Sequence, residues 1–270
     1  MASKQKNQVP ELLKNLEAGV RRLVETDGWK AWLDCQAKFH RYSFANTILI
    51  LWQKPDATRV AGYRKWQQLG RQVRGGERGI AILAPCFYKR ENAEGEEEQV
   101  RWFRTVRVFD VGQTDGDELP EPVVRLTGES SLKDALTTFA KAQGLEVSFD
   151  LLSQAGGYIS KDEGIVVSAY AEPAHQAKTL AHELAHHLLK HAPSKNARDL
   201  GELEAESVAY VVCNACGLDS AQYSFAYLAS WAGGEPDVVA AMVKESGNRI
   251  ATAARTIIDA LEKEDHVHEE

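Results

Sequence analysis

The chain has 270 residues, of which 44% are hydrophobic and 26% charged. This is the balance of an ordinary globular protein, long enough for two domains. Its longest apolar stretch, residues 48–52, is far too short to cross a bilayer. No apolar segment follows residues 1–6, so the sequence predicts no secretory signal, no membrane partner and a cytoplasmic location. Cys35, Cys86, Cys213 and Cys216 are too few for a disulfide framework in a chain of this length. The net charge of −7 conceals a split. Residues 1–112 carry 20 Lys+Arg against 13 Asp+Glu, net +7, whereas residues 113–270 carry 12 against 26, net −14. Such opposed halves suggest that the first meets an anion.

In chain order, Leu12, Leu13, Leu16, Val20 and Leu23 recur at helical spacing and predict a helix over residues 10–26. A second helix is expected over 29–42. A third starts at Ser43, a good N-cap, and stops before Pro55. Residues 62–69 read as a short helix. Residues 71–73 and 79–84, joined by the Gly-rich turn 74–77, predict a hairpin. A polar loop, 91–99, leads into a strand over 100–111. Residues 113–130 are rich in Asp, Glu, Gly and Pro without periodicity and read as a linker. Then come a helix at 131–142, a strand at 145–149, a hairpin built from 158–160 and 165–167, and helices to about residue 262. The sequence thus divides into 1–112, a linker 113–130, 131–262 and an acidic tail 263–270. The fold class expected is α+β in two domains, the first mixing helices with a hairpin.

The basic half carries eight Lys/Arg between Arg59 and Arg90, with Phe39, Tyr42, Phe44, Trp52, Tyr63 and Trp66 interleaved or just upstream. Cations that track phosphates and rings that stack on bases describe a single-stranded nucleic-acid surface. The competing reading is a solvated basic face over an aromatic core. The candidate DNA contacts are Arg41, Tyr42, Tyr63, Arg64, Lys65, Trp66, Arg71, Arg74 and Arg78. The Gly-rich turn is not a phosphate-binding P-loop, because no Gly-Lys-Ser/Thr follows it.

One short pattern dictates a chemistry. Residues 182–186 read His-Glu-Leu-Ala-His, within a run whose Ala177, Leu180, Ala181, Leu184 and Leu188 form a helical apolar stripe. His182 and His186, four apart, share a face and can offer two imidazoles to one ion, with Glu183 beside them as general base. Cofactor chemistry of this kind suits Zn2+, and the ligand types also suit Mn2+ or Fe2+. A catalytic site needs a third ligand. Glu202 and Glu206 share one face of the next helix, so either could ligate while the other hydrogen-bonds a ligating His. Glu202 is the expected ligand and Glu206 the supporting carboxylate. Glu204 is expected to be solvated. His191 lies half a turn round the helical wheel from His182 and is expected at the surface. Tyr158 and Tyr210 are candidate donors to a developing oxyanion. Cys213 and Cys216 form a CxxC with no second pair nearby, and core packing is expected of them.

His182-Glu183-Leu-Ala-His186 followed by Glu202-Leu-Glu-Ala-Glu206-Ser-Val-Ala resembles the zincin-type peptidase domain of the ImmA/IrrE kind. It is most similar to the version at the C-terminus of ArdC-type antirestriction proteins. The resemblance implies that Glu202 is the third ligand. Many relatives carry Asn where this chain has Glu206. Three further blocks, Phe39-His-Arg-Tyr-Ser43-Phe-Ala-Asn46, Gly62-Tyr-Arg-Lys-Trp66-Gln-Gln-Leu-Gly70 and Gly75-Gly-Glu-Arg-Gly79-Ile-Ala-Ile-Leu-Ala-Pro85, are similar to the ArdC N-terminal single-stranded-DNA-binding domain. The resemblance implies an ssDNA-binding domain ahead of a zincin-like metallopeptidase domain, and a zinc metalloendopeptidase with an unidentified protein substrate. It further implies a role in protecting incoming mobile-element DNA from restriction. The alternative is a non-enzymatic ssDNA-binding protector with a structural or idle metal site.

Overall fold

In the computed structural model, residues 8–25, 27–91, 97–119, 129–152, 156–159, 164–191, 198–218 and 234–267 are described. They form an α+β fold of two compact units. The linear division at 112 and 130 is not where the contacts divide the chain. One unit gathers residues 1–23 and 45–119, the other residues 24–44 and 120–270. The segment carrying Trp29 and Trp32 clusters with the acidic half rather than with the basic one.

The first unit holds α1 (Gln8–Arg22), most of α3 (Phe44–Gln53) and α4 (Tyr63–Gln68). Its three-stranded antiparallel sheet has the order β1 (Val60–Gly62), β4 (Glu97–Asp110), β3 (Ile80–Glu91). Leu16, Val20, Ile48, Leu49 and Trp66 pack its core with the inner ends of the strands, Ile80 to Leu83 and Val108. Asn46 and Gln53 on α3 bond the backbone of Leu83 and Ala81 in both directions. They satisfy the β3 edge, which no strand among the described residues covers. The expected hairpin of 71–73 with 79–84 does not form. β2 (Arg71–Val73) pairs instead with β5 (Thr114–Gly116), and β3 pairs with β4. Gly116 permits the β2–β5 pairing. Its φ is 140°, and a Cβ there would lie 2.3 Å from the Gly70 carbonyl oxygen.

The second unit contains α2 (Gly28–Lys38), α5 (Glu129–Ala142), α6 (Pro173–Leu189), α7 (Arg198–Ala215) and α8 (Pro236–Val267). A small sheet has the order β6 (Val147–Asp150), β8 (Ile165–Ser168), β7 (Gly157–Ile159). β6 runs parallel to β8 and β7 antiparallel to it. The expected turn between β7 and β8 lies outside the described residues. Pro173 occupies the first turn of α6, where its missing N–H costs nothing. Ala177, Leu180, Ala181, Leu184 and Ala185 bury the inner face of that helix. α7 packs against α6, α8 and α2 and buries Leu203, Ala205, Val208, Ala209, Val211 and Val212 among them. Cys213 and Cys216 are buried in this core. Trp29, Trp32 and Phe44 form an edge-to-face aromatic chain, and the Trp29 indole donates to Ser207 Oγ at 3.1 Å. Among the described residues no helix is long and apolar enough to cross a membrane.

Candidate metal centre

Helical periodicity puts His182 and His186 one turn apart on α6, and α7 presents Glu202 and Glu206 one turn apart against them. The two Nε2 atoms are 3.0 Å apart. Glu202 Oε2 lies 3.3 Å from His182 Nε2 and 3.7 Å from His186 Nε2. Ligand atoms around a tetrahedral ion at about 2.0–2.1 Å are themselves about 3.3–3.4 Å apart, so the triangle has the size of one coordination face. Glu202 is 54% exposed, which leaves one side of this triangle open to solvent.

The other ring nitrogens decide which tautomers face that point. His182 Nδ1 lies 3.3 Å from Glu206 Oε2, and Lys178 Nζ holds the other oxygen of Glu206 at 3.2 Å. His186 Nδ1 lies 2.8 Å from His191 Nδ1, and His191 Nε2 lies 2.9 Å from Glu204 Oε2. Arg249 Nε donates to both oxygens of Glu204, at 2.9 and 3.2 Å, and its Nη2 donates to the Leu189 carbonyl at 2.8 Å. A neutral His186 that donates through Nδ1 makes His191 an acceptor at Nδ1 and a donor at Nε2, which is what Glu204 requires. The same logic makes His182 a donor to Glu206. Both Nε2 lone pairs then face each other and a carboxylate oxygen. Such a cluster of bare acceptors is favourable only around a cation, and the donor set fits a divalent ion. A proton serves as the cation when no ion is bound. Burial pulls the His182 pKa down, but the carboxylates of Glu202 and Glu206 outweigh it and raise it to about 9. The contacts with the imidazoles of His182 and His186 hold Glu202 well below the usual carboxylate range.

Glu183 is outside this triangle. It is buried, and burial raises its pKa against the opposing pull of His182 and His186. The Ile159 N–H of β7 donates to it. A carboxylate raised in this way is suited to taking up a proton.

Several expectations from the sequence are corrected here. His191 is not on the far side of α6. The helix ends at Leu189, and Lys190 takes the left-handed conformation, φ 53°. The chain folds back so that the His191 N–H bonds the His186 carbonyl at 3.1 Å. The ring then rests on α7, where a Cβ at Gly201 would lie 3.3 Å from it. Glu204 is not solvated but 3% exposed, buried between His191 and Arg249. Tyr210 is buried, and its hydroxyl donates to Asp34 Oδ1 at 2.5 Å, which commits it away from any oxyanion. Tyr158 stands exposed on β7.

The DNA candidates scatter. Trp66 is 2% exposed and donates its indole N–H to the Phe109 carbonyl, so it is a core residue. Arg71 is bound to Thr114, Gly116 and Asp117, Arg74 to Glu77 and Asp115, and Arg41 to Glu262. Tyr42 is half-buried, and burial raises its pKa. Tyr63 accepts from Gln72 and packs edge-on against Phe109. Arg64, Lys65 and Arg78 are exposed.

Two family models match successive stretches of the chain. Residues 4–110 match the family described as the N-terminal domain of anti-restriction factor ArdC. Residues 139–214, which include His182 to Glu206, match the IrrE N-terminal-like domain of the M78 peptidases. The metal-free crystal structure of the antirestriction ArdC protein from the R388 plasmid has a TM-score of 0.59 at 21% identity, covering 91% of this chain and 97% of that one. The Mn(II)-bound structure of that protein aligns with a TM-score of 0.46 at 21% identity, over 82% and 89% of the two chains. An uncharacterized protein of Bacillus anthracis is 24% identical over 84% of this chain. The chain spans 46% of the length of that relative. The chain thus joins a region that matches the ArdC N-terminal domain to a region that matches the IrrE N-terminal-like domain, in a fold similar to that of the R388 ArdC protein.

Proposed function

We propose that this protein is a metal-dependent endopeptidase coupled to single-stranded DNA binding, acting in antirestriction or the protection of incoming mobile-element DNA. The observation that carries the reading is the convergence of His182 Nε2, His186 Nε2 and Glu202 Oε2 within 3.0–3.7 Å, beside a buried Glu183. His182, His186 and Glu202 would hold one ion, and a bound Zn2+, Mn2+ or Fe2+ supplies Lewis acidity and makes water acidic near neutral pH. Glu183 takes the proton from the attacking water and returns it to the leaving amine of the peptide. Its burial raises its affinity for that proton. Glu206 and the His191–Glu204 pair hold the two imidazoles in register. Tyr158 is the remaining side-chain candidate for steadying the oxyanion.

Glu183→Gln is the deciding experiment. Bound metal and ssDNA affinity should persist, while hydrolysis of a casein or peptide-library substrate disappears. Loss of protection against restriction in this variant supports the peptidase. Full protection with no hydrolysis in either protein would favour the non-enzymatic protector.

A further inference from the structure

The outer half of the β3–β4 hairpin forms a two-faced ribbon of rings and arginines. The strands pair from Ile80↔Val108 to Glu91↔Glu97, but β1 covers β4 only at residues 108–110. Beyond that point the sheet is two strands wide. The inner residues Ile80, Ala81, Ile82 and Leu83 are buried, whereas Phe87, Tyr88, Trp102 and Phe103 are 57, 47, 40 and 39% exposed. Neighbours in a strand face opposite sides. Exposure of both Phe87 and Tyr88, and of both Trp102 and Phe103, therefore means that both faces are open. Directly opposed residues share a face. Phe87 opposes Arg101, and Phe103 follows two residues on, with the Arg101 guanidinium 4.8 Å from the Phe103 ring centre. The other face carries Tyr88, Trp102 and Arg104.

Charge selects the occupant. Residues 79–90 and 99–109 contain Lys89, Arg90, Arg101, Arg104 and Arg107 and no Asp or Glu, the acids of the two strands and their connection lying at 91–98 and at Asp110 on the inner end of β4. Arg101 and Arg104 make no ion pair among the described residues, unlike Arg71 and Arg74, which are committed to internal partners. On each face the two rings are diagonal neighbours across the strands, Phe87 with Phe103 and Tyr88 with Trp102, about 7–8 Å apart. That is close to the gap between two bases spread to admit one ring, about twice the 3.4 Å rise per nucleotide. An isolated two-stranded ribbon exposing four large rings is marginal in water.

We propose that this ribbon, residues 85–90 and 99–104, is where the chain grips single-stranded nucleic acid. Phe87, Tyr88, Trp102 and Phe103 stack on bases, and Arg101 and Arg104 pair with phosphates. The assignment rests on the DNA-binding part of the function proposed above.

The test is fluorescence anisotropy of the intact chain with labelled oligothymidylate and with a duplex of equal length, at two salt concentrations. Phe87→Ala and Trp102→Ala should each weaken single-strand binding about 5-fold or more and leave the melting temperature nearly unchanged, since both rings are exposed. Trp102→Phe should retain most of the affinity. Arg101→Gln and Arg104→Gln should each lower the salt slope by about one, and Arg74→Gln should not. Wild-type binding that survives the ring variants overturns the placement but leaves the DNA-binding reading intact. Failure of the wild type to bind any single strand overturns both. A dimer by light scattering that the ring variants convert to monomer, at unchanged DNA affinity, makes the ribbon an interface between copies and overturns the proposal.

Discussion

His182 and His186 have the same neighbour in the proposed ion and different support behind them. His182 leans directly on Glu206, half-buried on the adjoining helix and shared with Lys178. His186 leans on a second imidazole, His191, which leans on a buried Glu204 clamped by Arg249 from α8. One ligand is therefore oriented by a single contact between α6 and α7, while the other is oriented by a relay that reaches a third helix. A relay of fixed dipoles holds a ring at one angle, but it couples metal affinity to the packing of α8.

The comparison breaks at once if the ligands are wrong. His182→Ala and His186→Ala should each reduce bound metal to background, measured by inductively coupled plasma spectrometry after dialysis. Metal retained at full occupancy in the double variant would remove the site. Glu202→Ala should come next, with near-complete loss of affinity in a titration against a chromophoric chelator. Glu206→Ala should lose only about 10–100-fold. The reverse ranking would hand the ligand role to Glu206.

The asymmetry itself is sharpened by His191→Ala and Glu204→Ala, each expected to weaken metal binding by about 10-fold or more. Glu204→Ala should also lower the unfolding free energy of the metal-free protein by about 2 kcal/mol, because a buried charge-assisted bond disappears. Glu206→Ala, at a half-buried carboxylate, should cost less. Equal stability losses in chemical denaturation would erase the distinction between the two supports. The smallest effect is expected at Tyr210→Phe, about 1 kcal/mol in stability from the lost bond to Asp34, with peptide hydrolysis unchanged. A selective fall in kcat would restore the tyrosine to the oxyanion.

The sequence by itself determined whatever depends on one helix. His182, Glu183 and His186 are placed by 3.6-residue periodicity alone, and Glu202 and Glu206 by the same rule on the next helix. Glu204 was legible too, though read otherwise. It precedes Val208, Val211 and Val212 by four, seven and eight residues, so it lies on the apolar stripe where an acid must be buried and paired. The wheel failed at His191 because it was carried past the helix end, and a single left-handed residue, Lys190, turned the ring back onto the site.

Only the tertiary structure could decide pairings across long stretches of chain. Arg249 is 45 residues from Glu204, and Asp34 is 176 residues from Tyr210. Composition could not separate Arg71 and Arg74, satisfied by residues 112–117, from Arg101 and Arg104, which face solvent. Nor could it separate Trp66 in the core from Trp102 on an open strand. A cation's or a ring's availability depends on what folds over it, and strand register and helix packing set that through contacts no local pattern contains.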